Sequence, residues 1–291
     1  MILTDAEQAE TRGELAQVVD AMLDRVSPRA DAVLRADRAA EGIIDEALWT
    51  RLNAEVGVAG LAVPEAWGGS GASIAELAVV SEALGRQVAT VPLLGTWLAL
   101  EVLVRSGDRN HADTVSEALG KGLALAVVLE ESSVRATQVD GQWLLDGEVD
   151  RVVDVAAATT LVIPARAGDE LRWFVVPTDN VAVVRREALD LTRSLSLVTC
   201  SAAPARAVVT TSAADLLENV RDLAAVLTAA EQLGVAEQAV ADAVAFAKER
   251  EQFGRAIGSF QAIKHHGRPR RHAPPATGPD RRRSPCRRPG A

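Results

Sequence analysis

The spacing of apolar residues changes twice along the chain. Up to about residue 120, apolar side chains such as Leu15, Val19 and Met22 recur every three or four positions, the spacing of a helix with one buried face. Short β-rich runs replace this spacing from about residue 123. The helical spacing returns at Ala213 and holds to about Arg250. The pattern predicts an α+β protein with an N-terminal helical domain, a middle β domain and the start of a C-terminal helical bundle.

The first helical region contains one clear start and one interruption. Asp45 precedes an apolar-periodic stretch, so we expect it to be a helix N-cap. A second long helical stretch covers 73–105 and is expected to break near Pro92 and Gly95.

The middle region predicts a small antiparallel barrel or sandwich, because its short strands are regularly spaced. Turn pairs such as Asp140-Gly141 and Gly168-Asp169 separate several of them. The predicted strands are 123–130, 142–147, 158–165, 171–177, 181–186, 195–200 and 205–210.

The helix predicted over 213–250 is apolar on two faces. One face runs from Leu216 to Gly234, and the other from Leu233 to Ala247. A helix of this kind is expected to lie between neighbours on both sides. A mid-helix glycine costs about 1 kcal/mol relative to alanine, so we expect another element to pack closely against Gly234.

Composition narrows the class of protein. Hydrophobic residues make up 48% and charged residues 24% of the 291 residues, as in an ordinary globular protein. The two cysteines lie far apart, so we expect no disulfide. No apolar run approaches the ~20 residues that cross a bilayer, so we expect no membrane span. Without a leader at the N-terminus, the expected location is the cytoplasm. The four His lack ligand spacing, so no metal site or Ser-His-Asp arrangement is predicted.

The last 25 residues differ from everything before them. Residues 267–291 carry eight Arg, six Pro and one Asp, a charge of +7 that leaves −16 on the rest of the −9 chain. Three interpretations compete: a helix-coding region read out of frame after His266, an inert disordered tail, and a basic tail that binds polyanions. We favour the frameshift. The predicted domains are therefore 1–121, 122–212, a truncated 213–266 and a disordered tail, 267–291.

Two segments resemble a known family. AAEQLGVAEQAVADAVAFAKEREQFGRAIGSFQAIKHH (229–266) is similar to the start of the C-terminal helical domain of acyl-CoA dehydrogenases, whose long helix ends in Arg-x-x-Phe-Gly. VGVAGLAVPEAWGGSG (56–71) is similar to a segment of the N-terminal domain. The resemblance covers about residues 1–266 and implies the same helical, β, helical order.

The resemblance implies a cofactor site at Arg250 and Gln261. In the family, the matching Arg and Gln contact FAD, typically in a neighbouring subunit. A guanidinium suits a pyrophosphate, and an amide can donate to and accept from a polar cofactor. We expect Gly254 to end the long helix and Ser259 to cap the next one. The alternative is that Arg250 and Gln261 are surface residues flanking a turn.

The middle domain departs from the family pattern at two places. Segment 126–137 lacks the Pro and Gly expected beside the flavin, and segment 147–158 has Val and Asp in place of Trp and Thr. Flavin binding by this chain's own β domain is therefore in doubt. We interpret the Gly-rich segment 64–71 as a turn without direct chemistry, because it lacks phosphate-loop spacing.

No catalytic base is predicted. Removal of the α-proton of an acyl-CoA thioester needs a carboxylate, but Ala224 occupies one family position for the Glu. Asp222 is two residues away, about 200° around the helix. Glu231 is expected to face solvent or to pair locally.

The leading hypothesis is an acyl-CoA dehydrogenase-like flavoprotein subunit, impaired or inactive alone. The alternative is a non-catalytic partner that completes the FAD site of a hetero-oligomer, and a remote one is polyanion binding through the tail. The resemblance implies FAD, an acyl-CoA substrate, a homo- or hetero-oligomer and an electron-transfer flavoprotein-type acceptor. Membrane or nucleic-acid partners are not expected from the acidic body.

Overall fold

The structure is a computed structural model that describes residues 5–28, 44–131, 133–190 and 192–266. The chain divides into two compact units, Met1–Gln238 and Ala239–Ala291. The order of elements is helices, then a β-barrel, then a helix, as the sequence predicts.

The helices of the first unit form where the sequence supplies caps. Asp45 is an N-cap as predicted, since its Oδ1 accepts a hydrogen bond from the Leu48 amide at 3.0 Å. Ser73 and Glu76 form a capping box at the next long helix. The helices are α1 (Asp5–Val26), α2 (Glu46–Arg51), α3 (Ile74–Gln87), α4 (Leu93–Arg105) and α5 (Ala112–Lys121), and α6 (Ala213–Glu249) begins in this unit.

The break predicted within 73–105 lies between α3 and α4. Val88 ends α3 in a left-handed conformation with a φ of 53°. Pro92 directly precedes α4, as its locked φ allows. Gly95 does not interrupt the helix, because it lies within the first turn of α4.

Seven strands form a sheet that closes into a barrel. The ring runs β4-β2-β3-β7-β5 and closes because β5 also pairs with β4; β1 and β6 join it at β4 and β7. The strands are β1 (Leu125–Val127), β2 (Arg135–Val139), β3 (Gln142–Val153), β4 (Thr160–Ala167), β5 (Glu170–Pro177), β6 (Ala182–Arg186) and β7 (Leu195–Val208).

The barrel differs from the sequence prediction in three respects. The pairings β1–β4 and β2–β4 are parallel, whereas the other pairings of this sheet are antiparallel. Strand β2 was not predicted. The two strands predicted over 195–200 and 205–210 are one strand, β7. Between them the strand is irregular but unbroken: Ala202 adopts a φ of 49°, and its amide donates a hydrogen bond to Asp146 Oδ1 at 2.8 Å. This irregularity lies opposite Asp146, where the pairing of β3 with β7 shifts register, and β7 continues beyond it.

The core has two parts that meet at β5. Phe174 and Val176 face the barrel interior, whereas Trp173 and Val175 belong to the hydrophobic cluster of the helices. A strand buried on both faces reads as a continuous apolar run, which explains the sequence LRWFVVP.

Helix α6 confirms one of its two predicted faces. On the first face, Ala230 is half-buried and the other members are buried, namely Leu216, Val220, Leu223, Leu227 and Gly234. The close neighbour expected at Gly234 is α3, since a Cβ at this position would lie 2.0 Å from the Glu82 carbonyl oxygen. The second face was predicted to be buried and is not: Leu233 is 49% exposed and Val240 is 58% exposed.

The second unit contains the end of α6, a two-residue hairpin and a short helix. Helix α6 ends at Glu249, before Gly254, so the predicted role of Gly254 as helix terminator is wrong. Instead Phe253 and Gly254, with φ of 54° and 74°, form the turn between β8 (Glu251–Gln252) and β9 (Arg255–Ala256). Ser259 does not cap the final helix, α7 (Gln261–His266), because its buried Oγ makes no hydrogen bond to the described residues.

Several predictions are limited by what the structure describes. Within the ranges given above, no helix is long and apolar enough to cross a membrane, and no cluster of three His, Cys, Asp or Glu could hold a metal. The tail, 267–291, lies outside the described residues. The domain boundaries, the cytoplasmic location and the frameshift stay predictions.

Candidate functional site

Arg250 and Gln261 lie at the two ends of the hairpin segment of the second unit. Arg250 follows α6 directly, and its amide donates to the Phe246 carbonyl at 2.9 Å. Its carbonyl accepts from the Ile257 amide at 2.7 Å, which fixes the segment that follows the hairpin. Gln261 is the first residue of α7, as predicted.

The hairpin segment is rigid for identifiable reasons. A Cβ at Gly258 would lie 2.8 Å from the Ala247 carbonyl oxygen, so only glycine allows this close approach. Phe253 and Phe260 make an edge-to-face contact at 6.2 Å, and the Arg255 guanidinium lies 4.1 Å from the Phe260 ring centre. The positions of Arg250 and Gln261 are therefore set by packing within this unit.

Both candidate side chains are available to a ligand. Arg250 and Gln261 are exposed, and neither side chain has a hydrogen bond or ion pair within the described part of the chain. An unpaired guanidinium binds phosphate oxygens in a bidentate manner, and a free amide can donate and accept.

The first unit brings together the two segments that depart from the family pattern. A groove of about 190 Å³ lies between residues 127–130, at the end of β1, and residues 149–153, at the end of β3. Strand β1 pairs with β4, and just beyond it the Val128 amide still donates to the Val162 carbonyl of β4 at 3.0 Å. Both segments depart from the family pattern in the sequence, but only the fold brings them to the same groove.

A bulge shapes one wall of the groove. The pairing of β3 with β7 shifts register between Val149 and Val152, and Arg151 adopts a φ of 57°. Arg186 of β6 donates its Nε–H to Asp150 Oδ1 at 2.9 Å, and this hydrogen bond holds the pKa of the Asp150 carboxyl below its usual range. Asp150 is therefore ionised near neutral pH.

The groove by itself does not fit a flavin dinucleotide. Its volume lies below the 300–1,000 Å³ of typical ligand pockets. Its lining contains two carboxylates, Glu130 and Asp150, and one guanidinium, Arg151, but no aromatic ring or hydroxyl that could hold a flavin. The Leu129 carbonyl already accepts a hydrogen bond from Arg221 Nε at 2.5 Å.

A buried group of charges lies next to the groove, and sequence reasoning missed it. Asp154 follows β3 and is 5% exposed; burial raises the pKa of its carboxyl to about 6. Arg193, before β7, forms an ion pair with Glu231 of α6. The expectation that Glu231 faces solvent or pairs locally is wrong, because its partner lies 38 residues away and both side chains are less than one quarter exposed.

The positions considered for a catalytic base do not supply a free buried carboxylate. Ala224 is buried and Asp222 is exposed on α6. Glu231 is occupied by Arg193. The lone His111 is buried, and its Nε2–H donates to the Ala207 carbonyl at 3.0 Å, which indicates a structural role.

The Gly-rich segment is a turn, as predicted. A Cβ at Gly69 would lie 2.1 Å from the Val63 carbonyl oxygen, so the loop folds tightly on itself. Trp67 stacks beneath the Arg109 guanidinium, which lies 4.0 Å from the ring centre and also donates to the Ala66 carbonyl.

Family comparisons agree with the order of elements. Residues 6–122 match the family model of the acyl-CoA dehydrogenase N-terminal domain. Residues 216–267 match that of the acyl-CoA dehydrogenase C-terminal domain. The second match ends where the Arg/Pro-rich composition begins.

Individual relatives cover most of this chain. It is 34% identical over 234 residues to acyl-CoA dehydrogenase IpdE2 of Mycobacterium tuberculosis, covering 80% of this chain and 63% of the relative. It is 33% identical over 258 residues to IpdE2 of Mycolicibacterium smegmatis, covering 88% and 71%. The chain thus spans about two thirds of the length of these relatives.

Solved structures of the same fold include two that are named for two components. The Tcur3481-Tcur3483 steroid ACAD variant superposes with a TM-score of 0.78 at 30% identity, covering 89% of this chain and 72% of that one. The ChsE4-ChsE5 complex of Mycobacterium tuberculosis gives 0.77 at 28% identity, covering 91% and 73%.

Helices, a closed barrel and a returning helix with an Arg-x-x-Phe-Gly turn define the acyl-CoA dehydrogenase class of folds. The chain belongs to the acyl-CoA dehydrogenase family of flavoprotein oxidoreductases in lipid metabolism.

Proposed function

We propose that this chain is a subunit of an acyl-CoA dehydrogenase and that it does not catalyse the reaction alone. The reaction is the FAD-dependent α,β-dehydrogenation of an acyl-CoA thioester. The observation that carries the proposal is a contrast: Arg250 and Gln261 are exposed and make no side-chain hydrogen bond in the described chain, whereas the small barrel groove has no aromatic ring or hydroxyl to hold a flavin. The chain has one part of a cofactor site and lacks the other.

Arg250 and Gln261 are the residues that would hold FAD. The Arg250 guanidinium would bind the pyrophosphate, and the Gln261 amide would hydrogen-bond to a neighbouring polar group. Bound FAD would supply the hydride acceptor for the reaction. Because the groove is small and offers no aromatic ring or hydroxyl to the same cofactor, we infer that the flavin ring rests on another subunit.

A hetero-oligomer accounts best for this division of the site. The structural relatives include the ChsE4-ChsE5 complex and the Tcur3481-Tcur3483 steroid ACAD variant, each named for two components. The exposed second face of α6, with Leu233 and Val240, is apolar surface suited to a subunit contact. This supports the role of a partner that completes a catalytic subunit's FAD site.

The catalytic base would also come from the second subunit. Proton abstraction from the α-carbon needs a free carboxylate in a dry pocket. Ala224 cannot provide it, and the Glu231 carboxylate is neutralised by Arg193. An electron-transfer flavoprotein-type acceptor stays a prediction from the family.

Reconstitution tests the proposal. The full chain is purified alone and after co-expression with an FAD-binding acyl-CoA dehydrogenase subunit from the same genome, and flavin absorbance and acyl-CoA-dependent dye reduction are measured. We expect both signals only in the co-expressed sample. A yellow, active protein from this chain alone would overturn the partner role.

A pair of variants tests Arg250 separately. Loss of a charge-assisted hydrogen bond costs about 1.5–3 kcal/mol, so in the co-expressed assembly Arg250→Ala is expected to raise the Kd for FAD by roughly 10- to 150-fold. Lys248→Ala removes the same charge two residues away on exposed helix surface and should change the Kd little. Equal Kd values for the two variants would contradict the assignment of Arg250.

A further inference from the structure

Helix α6 carries a seven-residue repeat of exposed apolar side chains. Val226, Leu233 and Val240 follow one another at this spacing and are 44%, 49% and 58% exposed. Three residues after each of them stands an exposed alanine, at positions 229, 236 and 243. In the heptad notation a to g, the larger residues occupy a positions and the alanines d positions. Apolar a and d residues in successive heptads are typical of a helix that pairs with another helix.

This stripe is separate from the buried face of α6. With about 100° between successive residues, its centre lies roughly 130° around the helix from Leu223, Leu227 and Gly234, which are buried. Helix α3 approaches α6 on the buried side, at Gly234. We call the stripe the α6 seam, and its residues are Val226, Ala229, Leu233, Ala236, Val240 and Ala243.

The α6 seam is complementary in shape to a second copy of itself. In an antiparallel pair of helices, each a residue of one helix faces a d residue of the other. A single register places Val226 opposite Ala243, Leu233 opposite Ala236, and Val240 opposite Ala229 of the second copy. Every large side chain of the seam then meets a small one. A parallel pair would instead place the large side chains against each other and leave gaps at the alanines.

We propose that the α6 seam is a dimer interface, in which two copies of this chain pair in antiparallel orientation about a two-fold axis between Gly234 and Val235. Such an interface is isologous, since the same residues serve on both sides. The subunit contact suited to Leu233 and Val240 is thereby assigned to a second copy. Residues 267–291 are not expected to supply a matching helix instead, because six of these 25 residues are Pro.

Sedimentation of the full-length chain alone tests the pairing, which requires neither FAD nor a catalytic subunit. We expect a dimer that dissociates on dilution. Pairing removes two Leu233 side chains from water, so Leu233→Ala is expected to raise the dimer Kd roughly 30-fold. Leu189→Ala makes the same change at a fully exposed position and should leave the Kd unchanged. A wild-type chain that is monomeric at about 100 µM, or equal Kd values for the two variants, would overturn the proposal.

Disulfide cross-linking tests the register. The background is Cys286→Ser, in which the remaining cysteine, Cys200, is buried. Val226→Cys and Ala243→Cys proteins are mixed under reducing conditions and then oxidised. In the antiparallel register the two introduced thiols face each other, whereas two copies of the same variant hold their thiols about 26 Å apart, beyond disulfide reach. We expect a covalent dimer from the mixture only, and a covalent dimer from either variant alone would contradict the register.

Thiol labelling separates a second copy from the catalytic subunit as the occupant of the seam. In the same background, Ala236→Cys should react slowly with a thiol reagent at concentrations where the chain alone is dimeric, and faster on dilution. Fast labelling of the chain alone that slows only after co-expression with an FAD-binding subunit would show that the other subunit covers the seam. That result would overturn the assignment to a second copy.

Discussion

The crossing of α3 and α6 offers a sharp test of the fold. Two glycines make this crossing possible: a Cβ at Gly234 would lie 2.0 Å from the Glu82 carbonyl oxygen, and one at Gly85 would lie 2.1 Å from the Glu231 carbonyl oxygen. Each glycine thus allows the backbone of the opposite helix to approach closely. We consider the substitution Gly234→Ala.

The expected change in the free energy of unfolding is the sum of two opposing effects. Alanine favours a helix over glycine by about 1 kcal/mol. Overpacking costs about 1–3 kcal/mol, and the upper end applies because the atoms contacted, Glu82 O and Arg86 N, belong to backbone that cannot rotate away. The net destabilisation is therefore roughly 2 kcal/mol, which lowers the Tm by about 4–8 °C.

Thermal unfolding followed by far-UV circular dichroism measures this loss, with Gly13→Ala as the matched control. Gly13 lies within α1, and a Cβ there would meet nothing within 4 Å. The substitution therefore changes only the helix propensity, which favours alanine, and the Tm should rise. A Gly234→Ala protein as stable as the wild type would refute the reasoning. A Gly13→Ala protein destabilised to the same extent would show that close packing is not the cause.

Three further outcomes are expected. Arg193→Met leaves Asp154 and Glu231 without their cation and should cost about 3–5 kcal/mol of unfolding free energy in urea titrations; a loss below 1 kcal/mol would contradict the buried network. Ser73→Ala removes the α3 capping box and should cost about 1 kcal/mol in the same assay, while an unchanged midpoint would argue against the cap. Cys200 is buried and burial raises its pKa to about 11, so in a Cys286→Ser background a thiol reagent at pH 8 should react only after unfolding, and rapid labelling of the native protein would count against its burial.

The candidate site could be predicted only in part from local sequence patterns. Arg250 and Gln261 could be placed from the sequence, because a helix end and the start of the next helix depend on nearby residues. The details of the turn could not: a Phe-Gly hairpin, rather than a glycine terminator and a Ser259 cap, connects them. Turn types of similar composition differ by small energies, and packing of Phe253 against Phe260 favours one of them.

The charged group of Asp154, Arg193 and Glu231 could not be predicted from local sequence patterns. Asp154, Arg193 and Glu231 are separated by 38 residues or more, and each looks like an ordinary polar residue in its own segment. Only closure of the barrel beside α4 and α6 brings them together. The pKa of Asp154 is likewise a property of its surroundings, since burial causes the shift.

The sequence by itself determined the order of helices and strands, the Asp45 cap, the need for a close neighbour at Gly234 and the family resemblance at 229–266. These depend on periodicity and on contacts between residues a few positions apart. The tertiary structure decided which helix lies against Gly234, that β7 is one bent strand, that the barrel closes through β4 and β5, and that the two divergent segments line one groove. These features join distant parts of the chain, and their energies come from burial and shape, which local spacing does not encode.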